Sequence, residues 1–278
     1  MPFLPKPKPV ALLTRHAKGG VIAPVLFKAL NWQVVSTDAF DTDQLGTFSG
    51  ETSRTLSPSD CAARKAHLAC ELTGLSMGLG SEGSFNAGPY GALLPWNQEL
   101  VTLLDLDNNW QVTGIAHGPS FHQHSQVATV AELIVFIDEI PNNQALILYP
   151  QSRPADCLFK GILGKDNIIK TFHQCQIRYN EEVVVEFDLR AMHCPERLIR
   201  IGQATENLVA RWQCCCPACQ RPGFWPDQLL DGLPCQACHF PTNSIAKRIA
   251  ICHGCHHQQS FAVDATFADP VNCQYCNP

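Results

Sequence analysis

The sequence predicts an α/β protein, a mainly parallel sheet domain followed by a double zinc-ribbon domain, and three observations carry that expectation. Strand-length apolar runs alternate with helix-length amphipathic segments up to about residue 213. Composition then shifts abruptly to Cys, Pro and Gly. Four Cys-x-x-Cys pairs fill the remainder: Cys216/Cys219, Cys235/Cys238, Cys252/Cys255 and Cys273/Cys276. The expected domains are therefore 1–213 and 214–278.

Prolines 2, 5, 7 and 9 make an extended lead-in to a first strand at Val10–Thr14. The Gly19-Gly20 break, an apolar segment over Ile22–Leu30 and a strand at Trp32–Ser36 complete a βαβ unit. Asp38–Arg54 is polar and reads as a long surface loop. Ser57-Pro58-Ser59-Asp60 supplies a helix N-cap with proline in the first turn, and Gly74 stops that helix, whose exposed face should carry Arg64, Lys65 and Glu71. Strands follow at Leu75–Gly80, Leu100–Leu106 and Gln111–Ala116, the last two joined as a hairpin at Asp107-Asn108-Asn109. A helix at Val130–Ile140, a strand at Ala145–Tyr149, a helix at Asn167–Cys175 and a strand at Val183–Leu189 lead to a long helix over Pro195–Gln213.

Zn²⁺ takes four soft ligands, and a two-residue gap lets one tight turn offer two sulfurs to one ion. Eight cysteines thus suffice for two four-thiolate zinc sites. Intervals of 15, 13 and 17 residues separate successive pairs and fit, or fall just short of, the ribbon pattern. Sequential, nested and cross-braced pairings all satisfy this spacing. Sequential pairing is favoured, because Pro222-Gly223 and the neighbourhood of Asp264 give each ribbon a turn at its midpoint. Cys238-His239 and Cys255-His256 also complete C-x-x-C-H, the c-type haem attachment motif, but two pairs lack the histidine and the proline-rich start is no export signal. A cytoplasmic protein with reduced thiols is expected.

The net charge of −5 and pI near 6.1 offer no general attraction to nucleic acid or anionic membranes. In the tail, Arg221, Lys247 and Arg248 face Asp227, Asp231, Asp264 and Asp269, and each four-thiolate zinc adds roughly two negative charges. This favours stapling or protein contact over phosphate-backbone binding. Phe224, Trp225, Phe240, Phe261 and Tyr275 could supply a small core or a contact face.

Candidate chemistry in the first domain starts at the first βα turn, Thr14–Gly20, where a phosphate would meet backbone N–H groups and the charges of Arg15 and Lys18. Carboxylates gather at Asp38, Asp41, Asp43 and Glu51, with Glu82 after a strand, a set of hard oxygens suited to Mg²⁺ shared with substrate phosphates. Gly78-Leu-Gly80-Ser-Glu-Gly83 matches the dinucleotide fingerprint, although Pro89, Gly91 and Pro95 prevent the helix that motif requires. Asp188, Arg190 and His193 form a further polar set.

The stretches 13–18, 40–51, 80–85 and 188–193, together with the closing knuckles, resemble an uncharacterised bacterial family of unknown function. The N-terminal order of elements, with Ala62-Ala-Arg-Lys65-Ala66 on the second helix, is similar to the inosine/xanthosine triphosphate pyrophosphatase-like fold. That resemblance implies that Lys18 and Lys65 hold phosphate and that Glu82 is a metal ligand or base. His16 stands where that family usually has Asn, and the acidic turn is Ser-Glu-Gly-Ser. The expectation is a Mg²⁺-dependent hydrolase of a nucleotide-like phosphoanhydride, with Glu82 and Asp43 catalytic and Arg15, Lys18 and Lys65 binding phosphate. The alternative is a non-catalytic adaptor that docks a protein partner through its zinc tail, or a small-ligand binder.

Overall fold

The structure, a computed structural model, describes residues 7–15, 17–46, 55–88, 91–154 and 157–278. His16 and Glu51 lie outside the described residues. The described parts of Met1–Asn109 and Gly114–Leu208 form one compact unit, and Trp110–Thr113 with Val209–Pro278 form a second.

In the first unit, β1 (Lys8–Leu13), α1 (Gly19–Leu30) and β2 (Trp32–Thr37) make the βαβ unit, and α2 (Pro58–Thr73) leads to β3 (Met77–Gly88). Ser57 caps α2, its hydroxyl accepting from the N–H of Asp60, and Gly74 closes the helix in the left-handed conformation. β4 (Gly91–Asp105) and β5 (Trp110–Pro119, of which residues 114–119 belong to this unit) complete a five-stranded sheet of order β2-β1-β3-β4-β5. The β1 strand pairs in parallel with both β2 and β3, but β3 and β4 pair antiparallel over nearly their whole length.

The rest of this unit is a second sheet. β6 (His124–Val127), β7 (Leu146–Pro150), β8 (Phe159–Ile162) and β9 (Val183–Phe187) lie in the order β6-β9-β7-β8, with every pair antiparallel. The helices α3 (Val130–Asp138) and α4 (Lys165–Tyr179) contribute Leu133, Phe136, Ile168 and Phe172 to its core. The Thr129 hydroxyl and the Glu132 carboxylate form a reciprocal capping box at the start of α3.

The expected mainly parallel sheet is thus corrected to two sheets, one mixed and one antiparallel. The cause is physical. Alternating strands and helices favour successive parallel crossovers, but β3 pairs antiparallel with β4, while β4 and β5 meet as neighbours across the expected hairpin at Asp107-Asn108-Asn109. In the second sheet β9 inserts antiparallel between β6 and β7. Strand β4 also begins nine residues before its predicted start at Leu100, and β6 and β8 are additional.

α5 (Pro195–Gln213) leads to the cysteine-rich chain. There β10 (Gln228–Asp231), β11 (Ile245–Ile251) and β12 (Gln258–Ala262) form a small antiparallel sheet. No described helix is long and apolar enough to cross a membrane.

Candidate metal centres and a buried cationic site

Each knuckle is built the same way. The N–H of the residue after the second cysteine donates to the carbonyl of the first: Gln220 to Cys216, His239 to Cys235, His256 to Cys252 and Asn277 to Cys273, at 2.8–3.0 Å. Gln220, His239 and His256 take up left-handed backbone conformations to do so. The histidines of the two C-x-x-C-H matches are therefore turn residues, which removes the reason to read those motifs as haem attachment. The third knuckle is the hairpin between β11 and β12.

The pairing is interleaved. Cys216, Cys219, Cys252 and Cys255 form one tetrad and Cys235, Cys238, Cys273 and Cys276 the other, with all ligand sulfurs of a tetrad within 4.8 Å of one another. This corrects the sequential pairing favoured from the turns at Pro222-Gly223 and Asp264: the intervening chain carries strands, and the pairing of β11 with β10 and β12 carries the first and third knuckles past the second. Zn–S bonds of about 2.3 Å in a tetrahedron place sulfurs about 3.8 Å apart. Observed separations are 3.6 Å for Cys216–Cys255, 3.5 Å for Cys219–Cys252, 3.8 Å for Cys235–Cys276 and 3.5 Å for Cys238–Cys273. The N–H groups of Ala237 and Gly254 point at Cys235 and Cys252 sulfurs at 3.4 Å, as thiolate ligands favour. The donor set fits two zinc ions, for which the tail would be a structural scaffold.

In the first unit, with the strand order β2-β1-β3, the β1-to-β2 and β2-to-β3 crossovers run in opposite directions along the sheet. Such crossovers are right-handed almost without exception, so α1 and α2 cover opposite faces, with the turn into α1 at the carboxyl end of β1. Lys18, at the start of α1, is buried there and donates to the Ser81 carbonyl at 3.1 Å and the Ser81 hydroxyl at 3.3 Å. Burial is the chief cause that lowers its pKa to about 8, helped by the charges of Lys65 and Arg197 and opposed by Glu82 and Glu99.

On the α2 side of β3, Lys65 forms an ion pair with Glu82, whose carboxylate also accepts from the Cys61 thiol at 3.4 Å. Lys65 is buried, not on the exposed face of α2 where the sequence put it. The Arg197 guanidinium grips Glu99 through Nε at 2.5 Å and Nη2 at 3.1 Å. Burial opposes the charge on Arg197, but the Glu99 carboxylate outweighs it and raises the pKa.

The glycines of the fingerprint-like motif serve packing. A Cβ on Gly78 would stand 2.2 Å from the Ala66 carbonyl oxygen, and one on Gly80 would stand 1.9 Å from that of Ala62, so both let α2 lie against β3. A Cβ on Gly83 would strike the Arg197–Glu99 pair.

The remaining predicted residues lie apart from this cluster. Exposed Arg15 pairs with Asp41 at 2.5 Å, which raises its pKa, and Asp43 sits one turn on with its N–H bonded to the Asp41 carboxylate. Among the described residues, only the two cysteine tetrads bring three or more metal-ligating groups together. Glu82 and Asp43 are not part of such a group. Asp188, fully buried, is held by Arg190 at 2.6 Å and the Gly161 N–H at 3.0 Å.

Sequence reasoning missed Arg197, Glu99, Ser81 and Cys61. Two signals could have found the first pair. Glu99 continues the inward alternation of Val101 and Leu103 on β4, and Arg197 stands one turn before Ile201 on the apolar face of α5.

The model of the family described as Domain of unknown function (DUF6671) matches residues 65–278. The chain belongs to that family. No curated protein and no solved structure matches it. The expected likeness to the inosine/xanthosine triphosphate pyrophosphatase-like fold therefore has no matching structure behind it.

Proposed function

We propose that the first unit binds a phosphorylated small molecule at the carboxyl end of β1, beside Lys18 and the Ser81 region of β3. The observation that carries this reading is Lys18, a buried cation whose hydrogen-bond partners are both neutral atoms of Ser81. The nearby charged groups pair with one another, Lys65 with Glu82 and Arg197 with Glu99, so Lys18 is the surplus positive charge among them. Burying such a charge is costly unless an anion compensates it. The α1 amino terminus adds favourable partial charge on the same side.

In the hydrolytic form of this reading the ligand is a nucleotide-like phosphoanhydride. Lys18 and Lys65 would offset charge developing on the phosphoryl group, and Glu82 would orient water once Lys65 turns from it to the ligand. The residues do not fit a resident Mg²⁺, because Glu82 is engaged by Lys65 and Cys61 and Asp43 lies with Asp41. No step is routed through one.

Calorimetric titration with pyrophosphate and with nucleoside di- and triphosphates tests the binding. Saturable binding that is lost in Lys18→Ala supports it, and equal affinity in the variant defeats it. Turnover of the same compounds, abolished in Glu82→Gln, would support the hydrolytic form.

A second reading rests on the second unit. Phe240 and Tyr275 stack at 4.2 Å between centroids while 48% and 68% exposed, an apolar surface suited to a protein partner. In that adaptor reading, residues 214–278 are the docking domain. Loss of a specific cross-linked partner in Tyr275→Ser would favour it.

A further inference from the structure

The end of the second unit built around Cys235, Cys238, Cys273 and Cys276 keeps its aromatic side chains on the outside. Phe240 follows the second knuckle, its carbonyl accepting from the Cys235 N–H at 2.8 Å, and Tyr275 lies between the two ligands of the fourth. Their rings meet at 4.2 Å with 37° between planes. The two knuckles come from separate stretches of chain, so closure of the tetrad is what brings this ring pair together. Next to Phe240 in the chain, the ring of His239 meets that of Phe267 at 5.5 Å. Phe240, Phe267 and Tyr275 all remain exposed.

Charge at this end has one sign. Residues 232–244 and 263–278, which carry the four ligands and these rings, include Asp264 and Asp269 but no lysine or arginine. Four thiolates around one Zn²⁺ add roughly two further negative charges. The cations between those segments, Lys247 and Arg248, stand on β11, the central strand of the small sheet.

Exposed rings in a negative field select among the macromolecules that could cover them. Nucleic acid stacks on aromatic rings, but its phosphates would be repelled here. A second copy of this chain brings the same negative end and a net charge of −5. A purely apolar segment would leave the charge without a counterpart. A cationic side chain answers both features at once, because the negative face of an aromatic ring and the charge around it attract the same group. Guanidinium suits best, being planar, weakly hydrated and able to stack.

We infer that this aromatic end docks a basic segment of a protein partner, with an arginine side chain lying over the outer face of Tyr275 in the Phe240–Tyr275 pair. The inference deepens the adaptor reading and rests on it. Zinc then has a part in recognition as well as in folding, since its site holds the two rings together and its thiolates supply much of the field.

Fluorescence anisotropy with the zinc-loaded full chain tests the docking. The probe is a labelled Arg-Gly repeat peptide, compared with a Glu-Gly repeat and a single-stranded RNA. The Arg-Gly peptide should bind saturably, and more weakly as salt rises, while the other two should not bind. Tyr275→Leu, which keeps apolar area but loses the ring, should weaken binding about fivefold or more, and Tyr275→Phe should keep it. Phe240→Leu repeats the test on the other ring. Asp269→Asn retains a side-chain oxygen to accept from the Val271 N–H, at 2.9 Å in the structure, so it should weaken binding and flatten the salt dependence with the fold intact. Zinc content should stay at two equivalents in each variant. No saturable binding of the Arg-Gly peptide, binding that both leucine variants leave unchanged, or equal binding of the RNA or the Glu-Gly peptide overturns the cationic partner. Should a cross-linked partner still depend on Tyr275 in that case, the adaptor reading survives alone. A Tyr275-dependent dimer in sedimentation would put a second copy on the rings and overturn both.

Discussion

The sulfur of Cys219 lies 3.5 Å from that of Cys252, although the whole second knuckle, Cys235 and Cys238, intervenes between them in the chain. Either tetrad can be completed only by passing the other.

This pairing is tested by truncation after Ser244. Sequential ribbons would leave Cys216, Cys219, Cys235 and Cys238 as one complete site and one equivalent of zinc. Interleaved tetrads leave two half-sites, and the shortened protein should retain essentially no tightly held zinc by elemental analysis, against two equivalents for the full chain.

Lys18 makes stability depend on pH in a predictable direction. Its folded pKa of about 8 is below the ordinary lysine value of 10.5, so between those limits the unfolded chain holds a proton that the fold has released. The contribution of this group to stability therefore rises as pH goes up through that window, and its penalty is fully present below it. Lys18→Met should remove this dependence and stabilise the protein at pH 7 by about 0.5–2 kcal/mol, as replacing a functional buried charge commonly does. Urea denaturation at pH 7 and 9.5 checks both. An unchanged pH dependence would mean that Lys18 is not the surplus charge.

Arg197 and Glu99 should behave as a buried pair. Glu99→Gln leaves the guanidinium uncompensated in the core and should cost about 3–5 kcal/mol, measured as a shift of the denaturation midpoint. A loss below 1 kcal/mol would indicate that water reaches the pair.

Gly80→Ala tests the close packing of α2 on β3. The added methyl would sit 1.9 Å from the Ala62 carbonyl oxygen, backbone against backbone, so relief requires the helix to move. A loss of about 1–3 kcal/mol is expected, with thermal denaturation as the readout. Gly20→Ala, where nothing lies within 4 Å, is the matched control.

How much of this was legible before the structure depends on the kind of signal. Helix ends were, because Ser57, Gly74 and Pro195 act locally. The βαβ opening and the ligand cysteines were also legible, since both follow from short-range pattern. Strand direction was legible only where a short connection fixes it, as in the βαβ opening and the turn between β4 and β5; elsewhere it is set by which strands meet. The apolar run of Val183–Phe187 is equally compatible with a parallel neighbour and with the antiparallel β6 and β7 it finds. Knuckle partners escaped for the same reason. Around the proposed site, the start of α1 beside Lys18 was legible from the Gly19-Gly20 break, whereas the burial of Lys65 was masked by the ordinary expectation that lysine on a helix faces water. Glu99 and Arg197 are separated by nearly a hundred residues, and their meeting is a product of topology.

The interleaving also sets a timetable for synthesis. As the chain leaves the ribosome, the first ion can be fully enclosed only after Cys255 has emerged, and the second must wait for Cys276. Until its later partner arrives each leading knuckle holds two thiols open to oxidation or to the wrong metal, so neither site can close while only the first two knuckles are out.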